Sequence, residues 1–240
     1  TIAVTHINLT PAIVKVYRYR DNEWVQIGEN ITGLEDNSEF FGVSTSLSFD
    51  GNIIAIGDSK GFNSKGYVQI FNYSNSKWDQ IGETIQGESA ADESGFSVSI
   101  SDNGKIIAIG APQNDANGDK SGHVRVYENI GDEWNQIGSD IDGSSSKDYA
   151  GYSVSLNNDG TILAVGMPYN DGGEQSWCDP CTDAGKVRVY ENKSGYWTQI
   201  GSDLKGKGEN ERFGWSLSLN GSGKILTVGA PGYSSDRGQV

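Results

Sequence analysis

The chain has 240 residues, with 33 Gly, 5 Pro, 35% hydrophobic and 21% charged residues, which suits a turn-rich globular domain with a buried core and excludes disorder and collagen. Its 18 Lys and Arg face 32 Asp and Glu, a net charge of −14, so nucleic acid is excluded as a partner because phosphate neutralisation needs clustered cations. No apolar run is long enough to span a bilayer.

Along the chain, one phrase recurs four times. Trp24, Trp78, Trp134 and Trp197 each precede an Ile-Gly pair, in "WVQIG", "WDQIG", "WNQIG" and "WTQIG", with successive spacings of 54, 56 and 63 residues. Between them runs a second phrase, as in "GFSVSISDNGKIIAIG" from Gly95 and "GYSVSLNNDGTILAVG" from Gly151. A repeat running end to end leaves no place for a domain boundary, so residues 1–240 read as one domain with units near 1–40, 41–94, 95–150, 151–212 and 213–240. Both ends fall inside a unit, as expected for an excerpt of a longer chain.

Each unit predicts four strands. The first alternates, with Phe96, Val98 and Ile100 against Ser97, Ser99 and Ser101, the period of a strand with one buried face. A tight turn follows, "SDNG" or "NNDG", whose Asn, Asp and Gly tolerate positive φ. The second strand, "IIAIG" or "ILAVG", is continuously apolar and predicts burial on both faces. The third, "VRVYEN", alternates again, and the fourth carries the Trp, whose fixed position predicts packing between neighbouring units. The expectation is an all-β propeller of four-stranded antiparallel blades, three full and two partial.

Spacing separates scaffold from variable parts. The steps from first-strand Gly to turn Gly (Gly95 to Gly104) and from there to the Gly closing strand two (Gly110) are 9 and 6 residues in every unit. The link from that Gly to the third-strand Val instead takes 11, 14, 21 and 11 residues. It shares a face with the links between blades, and insertions in repeat proteins map to the binding side. Those inter-blade links are acidic, with Glu35, Asp36, Glu39, Glu88, Asp92, Glu93, Asp142, Asp148, Glu209 and Glu211, which gives either an acidic binding face or polar turns solvated by carboxylates.

The consensus "FG…SLS.DG..IAIGAP…G.VRVYEN…W.QIG" resembles the FG-GAP repeats of integrin α-subunit-like β-propellers, most closely the variant with "GSDIDG" between units found in large secreted and surface proteins. The resemblance covers essentially the whole chain. It implies an extracellular or cell-surface recognition and adhesion module without catalysis, binding a protein or carbohydrate ligand or copies of itself. The integrin pattern places calcium on an Asp-rich loop in the first hairpin, which here is too short to hold one. The nearest substitute is "NDANGDKSG", where Asp115, Asn117 and Asp119 alternate oxygen ligands suited to calcium; the alternative is a self-capped polar turn.

The longest variable loop holds the cysteines, Cys178 and Cys181, in "WCDPC". A lone C-x-x-C cannot supply four zinc ligands, so a small disulfide ring is the leading expectation, with free thiols and a metal as the alternatives. In the same loop Trp177, Asp171 and Glu174 are ligand-face candidates, Trp177 as a sugar-stacking platform or as a buried anchor. Asn8, Asn30, Asn72, Asn192 and Asn220 satisfy the glycosylation sequon, with Asn72, Asn192 and Asn220 expected in hairpin turns. No nucleophile elbow, H-E-x-x-H or Walker loop appears, which leaves no catalytic residue to name. The alternatives to a recognition module are a structural repeat subunit of a glycosylated filament or coat and, more weakly, a propeller glycoside hydrolase.

Overall fold

The computed structural model describes residues 1–6, 10–35, 39–172, 182–232 and 238–240. Asn8, Asp36, Glu174, Trp177, Cys178 and Cys181 lie outside the described residues. Three sheets have the same antiparallel order. The first contains β5 (Phe41–Leu47), β6 (Ile53–Asp58), β7 (Tyr67–Ser74), β8 (Lys77–Gln80) and β9 (Ile85–Gln86). The second contains β10 (Ser97–Ile100), β11 (Ile106–Ala111), β12 (His123–Ile130), β13 (Glu133–Gln136) and β14 (Ile141–Asp142). The third contains β15 (Ser153–Leu156), β16 (Ile162–Met167), β17 (Lys186–Lys193), β18 (Tyr196–Gln199) and β19 (Leu204–Lys205). Before them stand β1 (Ile2–His6), β2 (Ile13–Arg20), β3 (Glu23–Gln26) and β4 (Ile31–Thr32), equivalent to strands two to four of a blade. After them come β20 (Ser216–Leu219) and β21 (Leu226–Gly229). The chain is therefore all-β and propeller-like, and its sheets form an arc that does not close.

The outermost strand differs from its expected form. In each full blade it is broken, so that β13 and β14 both pair with β12. Gly138 makes the break at φ 75°, with Gly82 and Gly201 at 67° and 73° in the neighbouring blades. Gln136 spans it, its side-chain amide donating to the Gly138 carbonyl and the Asp140 carboxylate. The segment read as a link between units is thus half of a strand.

The innermost strands β5, β10, β15 and β20 run side by side, and their serines do not face water as a one-sided strand would have them. Ser44, Ser97 and Ser153 each donate to a carbonyl of the following blade, that of Gly95, Gly151 and Gly214, at 2.7 Å. One step further along, Ser46, Ser99 and Ser155 accept the backbone N–H of Ile100, Leu156 and Leu219. The glycine closing strand two lies under the same carbonyl. A Cβ on Gly57, Gly110 or Gly166 would come within 2.1, 2.0 and 2.2 Å of that oxygen. At the other end of the inner strands, Phe49, Asp102 and Asn158 donate their N–H to the carbonyls of Asp102, Asn158 and Gly221, stitching the hairpins together.

Apolar packing fills the space between sheets. Ile107, Ala108 and Ile109 of β11 are all at most 2% exposed, as the continuous apolar run predicts. The outer seam belongs to the Trp residues: the indole N–H groups of Trp78, Trp134 and Trp197 donate to the carbonyls of Ile27, Ile81 and Ile137 in the preceding blade at 3.0–3.1 Å. A Cβ on Gly28 or Gly82 would stand 2.5 or 2.9 Å from the Trp ring of the next blade. Trp24, in the first sheet, is 50% exposed and rests on Tyr19.

Two comparisons test these seams by urea unfolding. Gly110→Ala is expected to destabilise by about 1–3 kcal/mol or more, because its Cβ meets backbone, whereas Gly131→Ala, in open space at φ 62°, costs only the left-handed penalty of about 1 kcal/mol. Equal losses would refute a tight inter-blade seam. Trp134→Phe should cost about 1–2 kcal/mol through its lost hydrogen bond, and Trp24→Phe no more than about 0.5 kcal/mol.

Candidate functional site

The variable loops and the inter-blade links meet at one end of the arc. There Asp92, Glu93, Asp148 and Glu211 of the links are buried, whereas Glu39, Glu88 and Glu209 remain exposed. Asp92 is 4% exposed; its carboxylate accepts the Ser89 N–H at 2.9 Å and the Asn114 side-chain amide at 3.0 Å. Asp148, 1% exposed, does the same with the N–H groups of Ser144 and Ser145 and with Asn170. Glu211 caps Lys207, Glu35 accepts from Phe62 N–H, and Glu93 pairs with Lys60 and Gln113. Asp92, Asp148, Glu35 and Glu93 each tie a link to a variable loop beside it, so the local desolvation is offset by hydrogen bonds to the charged form. These acids stand where a sequence reading puts exposed charge. The recurrence of an acid three residues before Gly95, Gly151 and Gly214 is the signal that they serve the scaffold.

At the axial end of the same face the chain gathers aromatic side chains that no motif announced. Phe96, Tyr152 and Trp215 each follow the first-strand glycine of their blade, a position held by Val43 in the blade before. Tyr152 lies between its neighbours, with ring centroids 4.9 Å from Phe96 and 4.7 Å from Trp215. Tyr169, from the loop after β16, joins at 5.8 Å from Tyr152, and Tyr149, from the preceding link, at 4.9 Å from Tyr169. All five rings are half-buried. The Arg212 guanidinium stands 5.6 Å over the Tyr169 ring and 5.8 Å over that of Trp215, and its Nε is buried with no hydrogen-bond partner. Burial pushes the Tyr152 hydroxyl up to about 12, so it stays a neutral donor at neutral pH.

The glycines explain why these rings converge. Gly95, Gly151 and Gly214 have φ of 83°, 83° and 95°, which turns the chain sharply from link to inner strand and points the next side chain at the axis. The signal available in sequence is contrast: one position changes among Val, Phe, Tyr and Trp inside a phrase otherwise nearly constant. An open concavity of about 520 Å³ lies elsewhere, lined by Leu204, Phe213, Leu226, Val228 and Gln239. It follows the outer edge of β21, the track a third strand takes in the full blades, with Lys205, Lys207 and Glu211 also on its lining.

The residues singled out from the sequence are dispersed. Asp115 accepts the Lys120 N–H at 2.8 Å and the Asn117 amide donates to the Gly143 carbonyl at 3.1 Å, while Asp119 is exposed and its carbonyl accepts from Lys147. Both side chains of the first two are thus engaged by backbone. Asp171 caps the Asp183 N–H at 3.0 Å on the axial face. Of the sequons, Asn30 is exposed and Asn220 accepts the Lys224 and Ile225 N–H groups in its turn. Asn72 and Asn192 lie within β7 and β17 instead of in the hairpin turns, because those strands run on to Ser74 and Lys193 before turning.

Comparison with known proteins agrees with this architecture. Residues 86–127, which run from the end of one blade into β12, match the family described as FG-GAP repeat. No curated protein matches the chain. Among solved structures the chain is similar to Kuenenia stuttgartiensis hydrazine synthase, with a TM-score of 0.57 and 16% identity over 92% of this chain and 56% of that one. It is also similar to TolB from Acinetobacter baumannii, with a TM-score of 0.50 and 13% identity over 97% of this chain and 47% of that one. The chain thus spans little more than half of the first and less than half of the second, and identities this low carry the fold alone. Residues 86–127 thus match an FG-GAP repeat, and the sheets of the chain are arranged in the manner of these propeller-like neighbours.

Proposed function

We propose that the chain is a non-catalytic recognition module of an extracellular or cell-surface protein, and that it takes a carbohydrate ligand on the aromatic cluster at the axial end of the variable-loop face. The observation that carries this reading is the placement of Phe96, Tyr152, Tyr169 and Trp215, half-buried, in contact, and at a position where the repeat otherwise constrains nothing. Aromatic faces with a few convergent polar groups suit a ligand that presents both C–H and hydroxyl surfaces, and the Arg212 guanidinium and Tyr152 hydroxyl supply the polar part. FG-GAP repeats are typical of extracellular or surface proteins, and the exposed sequon asparagines Asn30 and Asn220 suit that setting. Calcium on the Asp115 loop is not required by this reading, because Asp115 already accepts the Lys120 N–H and Asn117 donates to the Gly143 carbonyl.

A glycan array probed with the purified chain tests it, followed by calorimetry on the best glycan. Tyr152→Ala and Trp215→Ala are each expected to weaken binding by about tenfold or more, equal to about 1.4 kcal/mol, with native circular dichroism retained. Binding left unchanged by both substitutions, or no glycan bound at all, would refute the carbohydrate assignment.

A further inference from the structure

Beneath the variable face, the third strand of each full blade begins beside the preceding link. Three blades fill this place differently. In the blade of β5–β9 it holds Leu34, Tyr67, Gln69, Thr84 and Gln86, all neutral. In the blade of β15–β19 the equivalent residues are Ser144, Lys186, Arg188, Asp203 and Lys205. There the buried Lys186 ammonium donates to Ser144 Oγ at 2.8 Å and lies 3.6 Å from Asp148 and 3.9 Å from Asp203. In the blade of β10–β14 they are Glu88, His123, Arg125, Asp140 and Asp142. Here three carboxylates meet one guanidinium, an excess of two negative charges where the next blade places cations.

The side chains of this middle blade are left incompletely paired. His123 is 2% exposed, and its Nδ1 has no hydrogen-bond partner although Asp140 Oδ2 faces it at 3.5 Å. Asp142, directly across the ladder from His123, has a buried Oδ1 that is also without a partner. Ligand atoms of Glu88, His123 and Asp140 all lie within 4.8 Å of one another. Orphaned buried polar atoms are costly, and three acids around a bare imidazole nitrogen do not relieve one another.

We propose that Glu88, His123 and Asp140 form a binding site for a divalent transition ion of the zinc class, with Asp142 contributing to the charge balance. An imidazole nitrogen together with carboxylate oxygens suits zinc, whereas calcium takes oxygen ligands. Arg125 is the competitor: its guanidinium pairs with Glu88 at 2.5 Å and with Asp140 at 3.2 Å. Its other terminal nitrogen reaches the Tyr127 hydroxyl at 3.4 Å, a place to which it can withdraw as the ion takes the carboxylates.

The test is calorimetric titration of zinc into the chain at neutral pH, in a Cys178→Ser/Cys181→Ser background that removes the thiols as rival ligands. One zinc per chain is expected, with a raised thermal midpoint. Glu88→Gln and Asp140→Asn should each weaken binding by about tenfold or more, and Arg125→Gln should tighten it, an effect that a purely structural ion-pair network would not give. Glu88 is exposed, so its variant keeps the test sound even where His123→Gln fails to fold. No zinc bound by the folded protein, binding unaltered in Glu88→Gln and Asp140→Asn, or calcium binding as tightly as zinc would overturn the proposal.

Discussion

Everything in this arc depends on how closely one blade can approach the next. The carbonyls of Gly95, Gly151 and Gly214 press onto the Cα of Gly57, Gly110 and Gly166, and each is met there by a serine hydroxyl of the same preceding blade. A methyl group at any of these glycines would occupy the position of the oxygen, so the contact is possible only without a Cβ. The buried carbonyl would be costly if unpaired, and the serine removes that cost. The first sheet solves the same problem with one residue: Thr5 stands where the others have glycine, and its hydroxyl donates to the Gly42 carbonyl at 2.9 Å.

From this seam the rest follows outward. Close inner strands force the sheets to diverge toward the rim, where larger side chains fill the wedge: isoleucines in the middle, then the indoles of Trp78, Trp134 and Trp197 bridging to the preceding blade. The left-handed glycines Gly28 and Gly82 leave room for the indole of the next blade, which a Cβ would meet. Both ends of the inner strands are then fixed, one by backbone hydrogen bonds between hairpins and the other by the buried acids Asp92, Asp148 and Glu211. A frame held so firmly leaves the lengths of the variable loops free to change, and leaves the residue after the first-strand glycine free to differ.

Such freedom is what a recognition surface needs. Binding groups on rigid elements are ordered before a ligand arrives, and less conformational entropy is lost on association. Phe96, Tyr152 and Trp215 are held just before strand starts, and the carboxylates of Asp92 and Asp148 are taken up as loop caps. A carboxylate that accepts two or three hydrogen bonds, as that of Asp148 does, serves the backbone first.

By itself the sequence determined the repeat, the four strands, the hairpin turns and the variable link, because these rest on local period and on glycine positions that recur with fixed spacing. It also placed Trp78, Trp134 and Trp197 at a blade seam, whereas Trp24, expected there too, is half exposed because no described sheet precedes its own. Tertiary structure alone decided the use of the inner-strand serines, which alternation suggests are solvent-facing but which bond to the next blade. It likewise decided the inward turn of the link acids and the meeting of Phe96, Tyr152, Tyr169 and Trp215. Those residues are 17 to 63 positions apart from Tyr152, or belong to separate blades, so their contact depends on how the blades stack around the axis and not on any local pattern.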